Sequence, residues 1–131
     1  MLKERNISYM KPTERDLSTL QHIIKHCNDI SDALINHKLT LDIITNDSLY
    51  KNALAMSILQ IGELVNILSE DFRKAHKTIP WHEIKRMRDK AAHHYWTFDV
   101  NILWETIIDD IKPLKRYCQD CINEYNINKN N

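Results

Sequence analysis

Between Arg86 and Tyr95 the chain reads Arg-Met-Arg-Asp-Lys-Ala-Ala-His-His-Tyr, which puts cations, paired histidines, an acid and a tyrosine close together. These residue types suit phosphodiester chemistry. Cleaving RNA without a metal needs a base to take the 2′-hydroxyl proton or an acid to protonate the leaving oxygen, and histidine titrates near neutral pH and serves either role. The reaction also needs a fixed cation against the charge that builds on phosphorus, and a guanidinium meets phosphate with planar, bidentate contacts. Arg88 and His93 are the candidates for the pair.

The wider segment is basic. From residue 73 to residue 95 there are seven Lys or Arg against two acids, a balance of +5 in a chain whose formal charge is zero. A local field of this kind attracts a polyanion. The same residues also fit a solvated helix end, where cations complement the dipole. On a continuous helix Arg88 and His93 point about 140° apart. They converge on one phosphate if the helix ends between them, or if a second subunit completes the cleft.

Positioning these residues falls to a helical scaffold. The chain has 131 residues, enough for one compact domain, with 43% hydrophobic and 27% charged residues. One Gly and three Pro argue against hairpins, phosphate-cradling glycine loops and dinucleotide fingerprints. Residues 1–12 form a polar arm, 13–125 a single helical domain, and 126–131 a frayed tail. Thr13 caps a first helix in which Leu17, Leu20, Ile23, Ile24, Cys27, Ile30 and Leu34 recur at helical spacing, ending near Asn36. Residues 38–47 break that period. A second helix starts at Asp47 or Ser48 and reaches Ser69; it is apolar over more than one face, as a central helix with two packing partners would be. Gly62 inside it reads as a close helix–helix contact or a ligand approach. A short helical turn is expected at 71–73, a helix over 80–92, and a last helix from Asp99 to Tyr125 kinked at Pro113. The expected fold is an all-α bundle of four to five helices.

Cys118-x2-Cys121 resembles half a zinc site, with His22, His26 and Cys27 as conceivable partners. Helical geometry favours core cysteines instead, because Cys27, Cys118 and Cys121 fall on apolar faces while His22 and His26 fall on the polar side. No metal and no cofactor is expected. His76 and His82 flank the basic stretch and read as solvated. Three cysteines, no apolar run of membrane length and no signal-peptide core behind the first residues point to a cytoplasmic protein that binds no membrane.

At its basic segment the chain resembles a known family. Arg88-x4-His93-x-Tyr95 matches the Arg-x4-6-His motif of the HEPN superfamily, in the longer form of the HepT-like toxins. Leu59-Gln60-Ile61-Gly62-Glu63-Leu64 resembles that family's Ile-Gly-Glu helix. Phe72, Ile79-Pro80-Trp81, Ile84 and Met87-Arg88 resemble its approach to the motif, and Phe98-Asp99, Leu103-Trp104 and 111–114 its final helix. The resemblance implies a homodimer with the motifs of both subunits facing one cleft. It implies a metal-independent endoribonuclease toxin paired with a minimal nucleotidyltransferase antitoxin. Arg88 and His93 map to the catalytic pair, Asp89 to a residue that orients the site, and Tyr95 to the acceptor of AMP from the antitoxin; His94 holds a variable position and receives no role. The alternative is a non-catalytic member that binds nucleotides or scaffolds a nucleotidyltransferase.

Overall fold

The computed structural model describes residues 13–77, 79, 81–93 and 99–129, and within 81–93 the side chains of Glu83, Met87, Lys90, Ala91 and His93 lie outside the description. The described residues form seven helices: α1 (Glu14–Asn36), α2 (Leu41–Asn46), α3 (Ser48–Ile67), α4 (Glu70–Ala75), α5 (Trp81–His93), α6 (Val100–Asp109) and α7 (Ile111–Lys129). Five are long and two have six residues, so the fold is the all-α bundle expected, with α2 and α4 as short links.

Local chemistry explains the boundaries. Thr13 and Asp16 form a reciprocal capping box at the start of α1, with Asp16 N donating to Thr13 Oγ1 over 3.0 Å. Asp47 caps α3 by accepting from Leu49 N at 3.0 Å. α1 ends in a Schellman arrangement: Leu39 N donates to Leu34 O at 3.0 Å and Lys38 N to Ile35 O at 3.3 Å. Lys38 takes the left-handed position there, with φ 50°, a site that usually favours glycine. The chain's single glycine lies elsewhere, in α3.

α3 is the centre of the bundle. It packs against α5 on one side and α1 on another, and α1 in turn packs against α7. Leu54, Ile58, Ile61 and Val65 of α3 meet Leu20, Ile23, Cys27 and Ile30 of α1 in one core, which Leu103, Ile107, Leu114 and Cys118 extend. Cys27 and Cys118 are fully buried, and burial pushes the Cys27 thiol up to about 12 and the Cys121 thiol up to about 11. The three cysteines are core residues, as their helical phase predicts.

One carboxylate joins distant parts of the chain. Asp16, only 2% exposed, accepts from Ser69 N at 2.9 Å and from Ser69 Oγ at 2.9 Å. Ser69 Oγ is itself the cap of α4, accepting from Phe72 N at 3.2 Å. The N-termini of α1 and α4 are therefore fastened by the same buried acid.

The last helix departs from expectation. Instead of one kinked helix, the chain makes two, divided at Asp110. Pro113 has no N–H to give Asp109 O, and its ring opposes that carbonyl, so the ladder stops before it and restarts at Ile111. Residues 126–129, expected to fray, continue α7.

Candidate active site

α5 carries the motif, and its start is anchored on two sides. Trp81 Nε1 donates to His76 O over 2.9 Å, and His76 Nδ1 meets the Tyr117 hydroxyl of α7. Phe72 and His76 stack with ring centroids 4.3 Å apart. His76 is thus half-buried rather than solvated, because the aromatic side chains of α4, α5 and α7 close over it; burial lowers its pKa against the opposing pull of Glu124. His82 is exposed, as expected.

From Trp81 the helix runs unbroken through Arg88 to His93. The alternative in which the helix ends between the two motif residues is therefore corrected. Asp89-Lys90-Ala91-Ala92 contains no Gly or Pro, and alanine and lysine are good helix formers, so nothing stops the ladder there. Arg88 and His93 occupy one helix, about 140° apart around its axis. The His93 side chain and the whole of His94 and Tyr95 lie outside the described residues.

Arg88 faces α3 and is fixed along its length. A Cβ placed on Gly62 would strike Arg88 Cβ and lie 2.7 Å from its Cγ. Gly62 is therefore the close helix–helix contact, and its missing side chain is what lets α5 approach at Arg88. At the far end, Glu63 Oε1 accepts from Arg88 Nε at 2.6 Å and pairs with Nη2 at 2.5 Å. Asp89 Oδ1 accepts from Nη1 at 2.5 Å. The Arg88 side chain is 22% exposed, and the hydrogen bonds it donates, to Asp89 first and Glu63 second, raise its pKa above the ordinary guanidinium value. It is a permanent cation with its donors held in a set direction.

Asp89 thus touches Arg88. Glu63 is the residue that reasoning from the motif missed. Its signal is in the sequence: it is the only acid between Ser48 and Ile67, and it directly follows the only glycine. Lys85 and Arg86 extend the cationic surface and are exposed. The described residues contain no cluster of three or more His, Cys, Asp or Glu arranged to hold a metal, and none of the described helices is long and apolar enough to cross a membrane.

Residues 20–121 match the family described as ribonuclease HepT-like. The chain belongs to that family. Among HepT-like relatives, it is 35% identical over 95 residues to a Thermococcus cleftensis protein assigned as ribonuclease HepT, covering 69% of this chain and 86% of that one. A protein of Caldanaerobacter subterraneus subsp. tengcongensis assigned as an RNase is 31% identical over 103 residues, covering 79% of this chain and 90% of the relative. A third, assigned as an RNase in Methanocaldococcus jannaschii, is 32% identical over 105 residues, covering 77% and 85%. No solved structure gives a significant match. HepT-like membership agrees with the all-α fold and extends over the whole segment from Gly62 to Tyr95.

Proposed function

We propose that this HepT-like protein is a metal-independent endoribonuclease toxin, held in check by a minimal nucleotidyltransferase antitoxin that adds AMP to Tyr95. The observation that carries the reading is the family match over residues 20–121, which takes in Arg88, His93 and the Gly62 contact beneath them. In the reaction, the 2′-oxygen attacks the adjacent phosphorus, its proton passes to a base, and the 5′-oxygen leaves with a proton from an acid. Arg88 supplies the cation at phosphorus, His93 the proton transfer, and Asp89 an acceptor that holds the guanidinium. Lys85 and Arg86 give the RNA backbone further positive charge along α5.

The working form is a homodimer. Leu49, Ala53, Met56, Gln60, Glu63 and Ile67 repeat along α3 at alternating four- and three-residue spacing, and Leu49 and Met56 are 77% and 52% exposed. A helix stripe of that period suits pairing with a second helix. Since Arg88 and His93 diverge on one helix, a twofold pairing supplies the convergence that a single subunit lacks.

Purified protein with chelator present tests the activity. Single-stranded RNA should be cut to products with a 2′,3′-cyclic phosphate and a 5′-hydroxyl, and His93→Ala should slow cleavage by about 10²–10⁴. Unchanged cleavage by His93→Ala, or activity abolished by chelator, overturns the mechanism. Absence of any cleavage by wild type favours the scaffold reading.

A further inference from the structure

We propose that Glu63 is the positioning residue of Arg88, holding the guanidinium in the direction from which it meets phosphate. The proposal rests on the reading of Arg88 as the phosphate-binding cation. Three observations lead to it. First, the root of the side chain is fixed: Arg88 Cβ and Cγ lie against the bare Cα of Gly62. Second, the tip is fixed by the neighbouring residue on α3, where Glu63 Oε1 receives Nε at 2.6 Å and Nη2 at 2.5 Å. Third, Glu63 is the sole acid of a helix whose buried residues are all apolar. A residue pair on one helix thus sets both ends of a flexible arginine on another.

The arrangement has a chemical consequence. A free arginine side chain has several rotamers to lose on binding, and fixing it beforehand removes that loss from the transition state. A guanidinium carries five N–H groups; Glu63 takes two and Asp89 takes one. Among the described residues one N–H on each of Nη1 and Nη2 is left for phosphate oxygens. Two carboxylates around one guanidinium also leave the triad net negative, so Glu63 opposes the approach of RNA while it orients the group that stabilises the reacting phosphate. It should therefore act on kcat and not help KM.

Steady-state cleavage of a single-stranded RNA by the full-length chain tests this, with Arg88→Ala, Glu63→Ala, Glu63→Gln and the double variant Glu63→Ala/Arg88→Ala. Glu63→Ala should lower kcat by about 10² without raising KM, the loss a displaced reacting group produces. Glu63→Gln keeps an oxygen acceptor and should recover much of kcat. The double variant should be no slower than Arg88→Ala. Thermal melting of each variant reports folding, and the near-isosteric Gln variant keeps the test open if the Ala variant unfolds. If Glu63→Ala cleaves like wild type while Arg88→Ala is inactive, Glu63 positions nothing. If Glu63→Gln is as inactive as Glu63→Ala and the acidic limb of the pH–rate profile disappears, Glu63 transfers a proton and positioning is overturned. Wild-type cleavage by Arg88→Ala would instead sink the reading of the site itself.

Discussion

Gly62 and Arg88 touch across the α3–α5 interface with no room for a methyl group between them. Gly62→Ala should therefore destabilise the fold, although alanine gains up to about 1 kcal/mol in helix propensity. Overpacking of this kind costs about 1–3 kcal/mol, and the atom struck first is Arg88 Cβ, which cannot move aside without moving the helix. Urea unfolding should give a lower midpoint with an unchanged slope. An equal or higher midpoint would mean that α5 yields freely at this point.

Asp16 and Ser69 should prove as important to stability as any core leucine. Asp16→Ala removes the acceptor of Ser69 N and Ser69 Oγ and one half of the α1 capping box. Each buried donor left unsatisfied costs about 1–3 kcal/mol, so the total loss should reach the upper part of that range or exceed it. Asp16→Asn keeps one acceptor oxygen and should fall between. Chemical denaturation of the three proteins measures this, and a loss below about 0.5 kcal/mol, the level of an ordinary surface change, would contradict it.

These two contacts mark how far the sequence could be read. The Thr13 cap, the start of α3 at Asp47 or Ser48 and the buried phase of Cys27 and Cys118 are local or periodic, and residue type and helical period carry them. Asp16–Ser69 spans 53 residues and Glu63–Arg88 spans 25, and no spacing rule pairs side chains at such separations. Gly62 was legible as a close contact, but not as a contact with Arg88. Pro113 signalled a disturbance, but whether a proline kinks a helix or divides it is not written in its position alone, and here the chain divides at Asp110. His76 was misjudged because its cover comes from Trp81 and Tyr117, one of them 41 residues away.

Acid should weaken the fold through histidine. Burial lowers the pKa of His76, and burial also lowers that of His26, where Asp29 opposes the shift and Lys25 and His22 reinforce it. The folded chain thus resists protonation that the unfolded chain accepts near the ordinary value of about 6.5. This contribution to stability is complete above that pH and is lost as pH falls through it towards the folded values. Urea midpoints should drop between about pH 7.5 and about pH 5.5, and the drop should be smaller in His76→Gln. A slope that His76→Gln leaves unaltered would assign the effect to other groups.

Regulation of the site is the remaining expectation. Tyr95 follows His93 by two residues and Arg88 by seven, so a group attached to its hydroxyl is tethered close in sequence to the proposed catalytic pair. Each AMP adds a phosphodiester negative charge and a bulky base. That charge is attracted to the same cations that draw RNA, Lys90 and the exposed Lys85 and Arg86, so with the remaining N–H groups of Arg88 it would occupy the substrate's phosphate position and block it without a change of fold. Co-expression with the cognate nucleotidyltransferase, followed by intact mass and peptide mapping, should find an adenylyl adduct on Tyr95 and RNA cleavage reduced to the level of Arg88→Ala. Tyr95→Phe should escape both the adduct and the inhibition while keeping its cleavage activity. Inhibition of Tyr95→Phe as strong as that of wild type, or an adduct mapped to another residue, would instead assign control to direct capping of the cleft by the antitoxin.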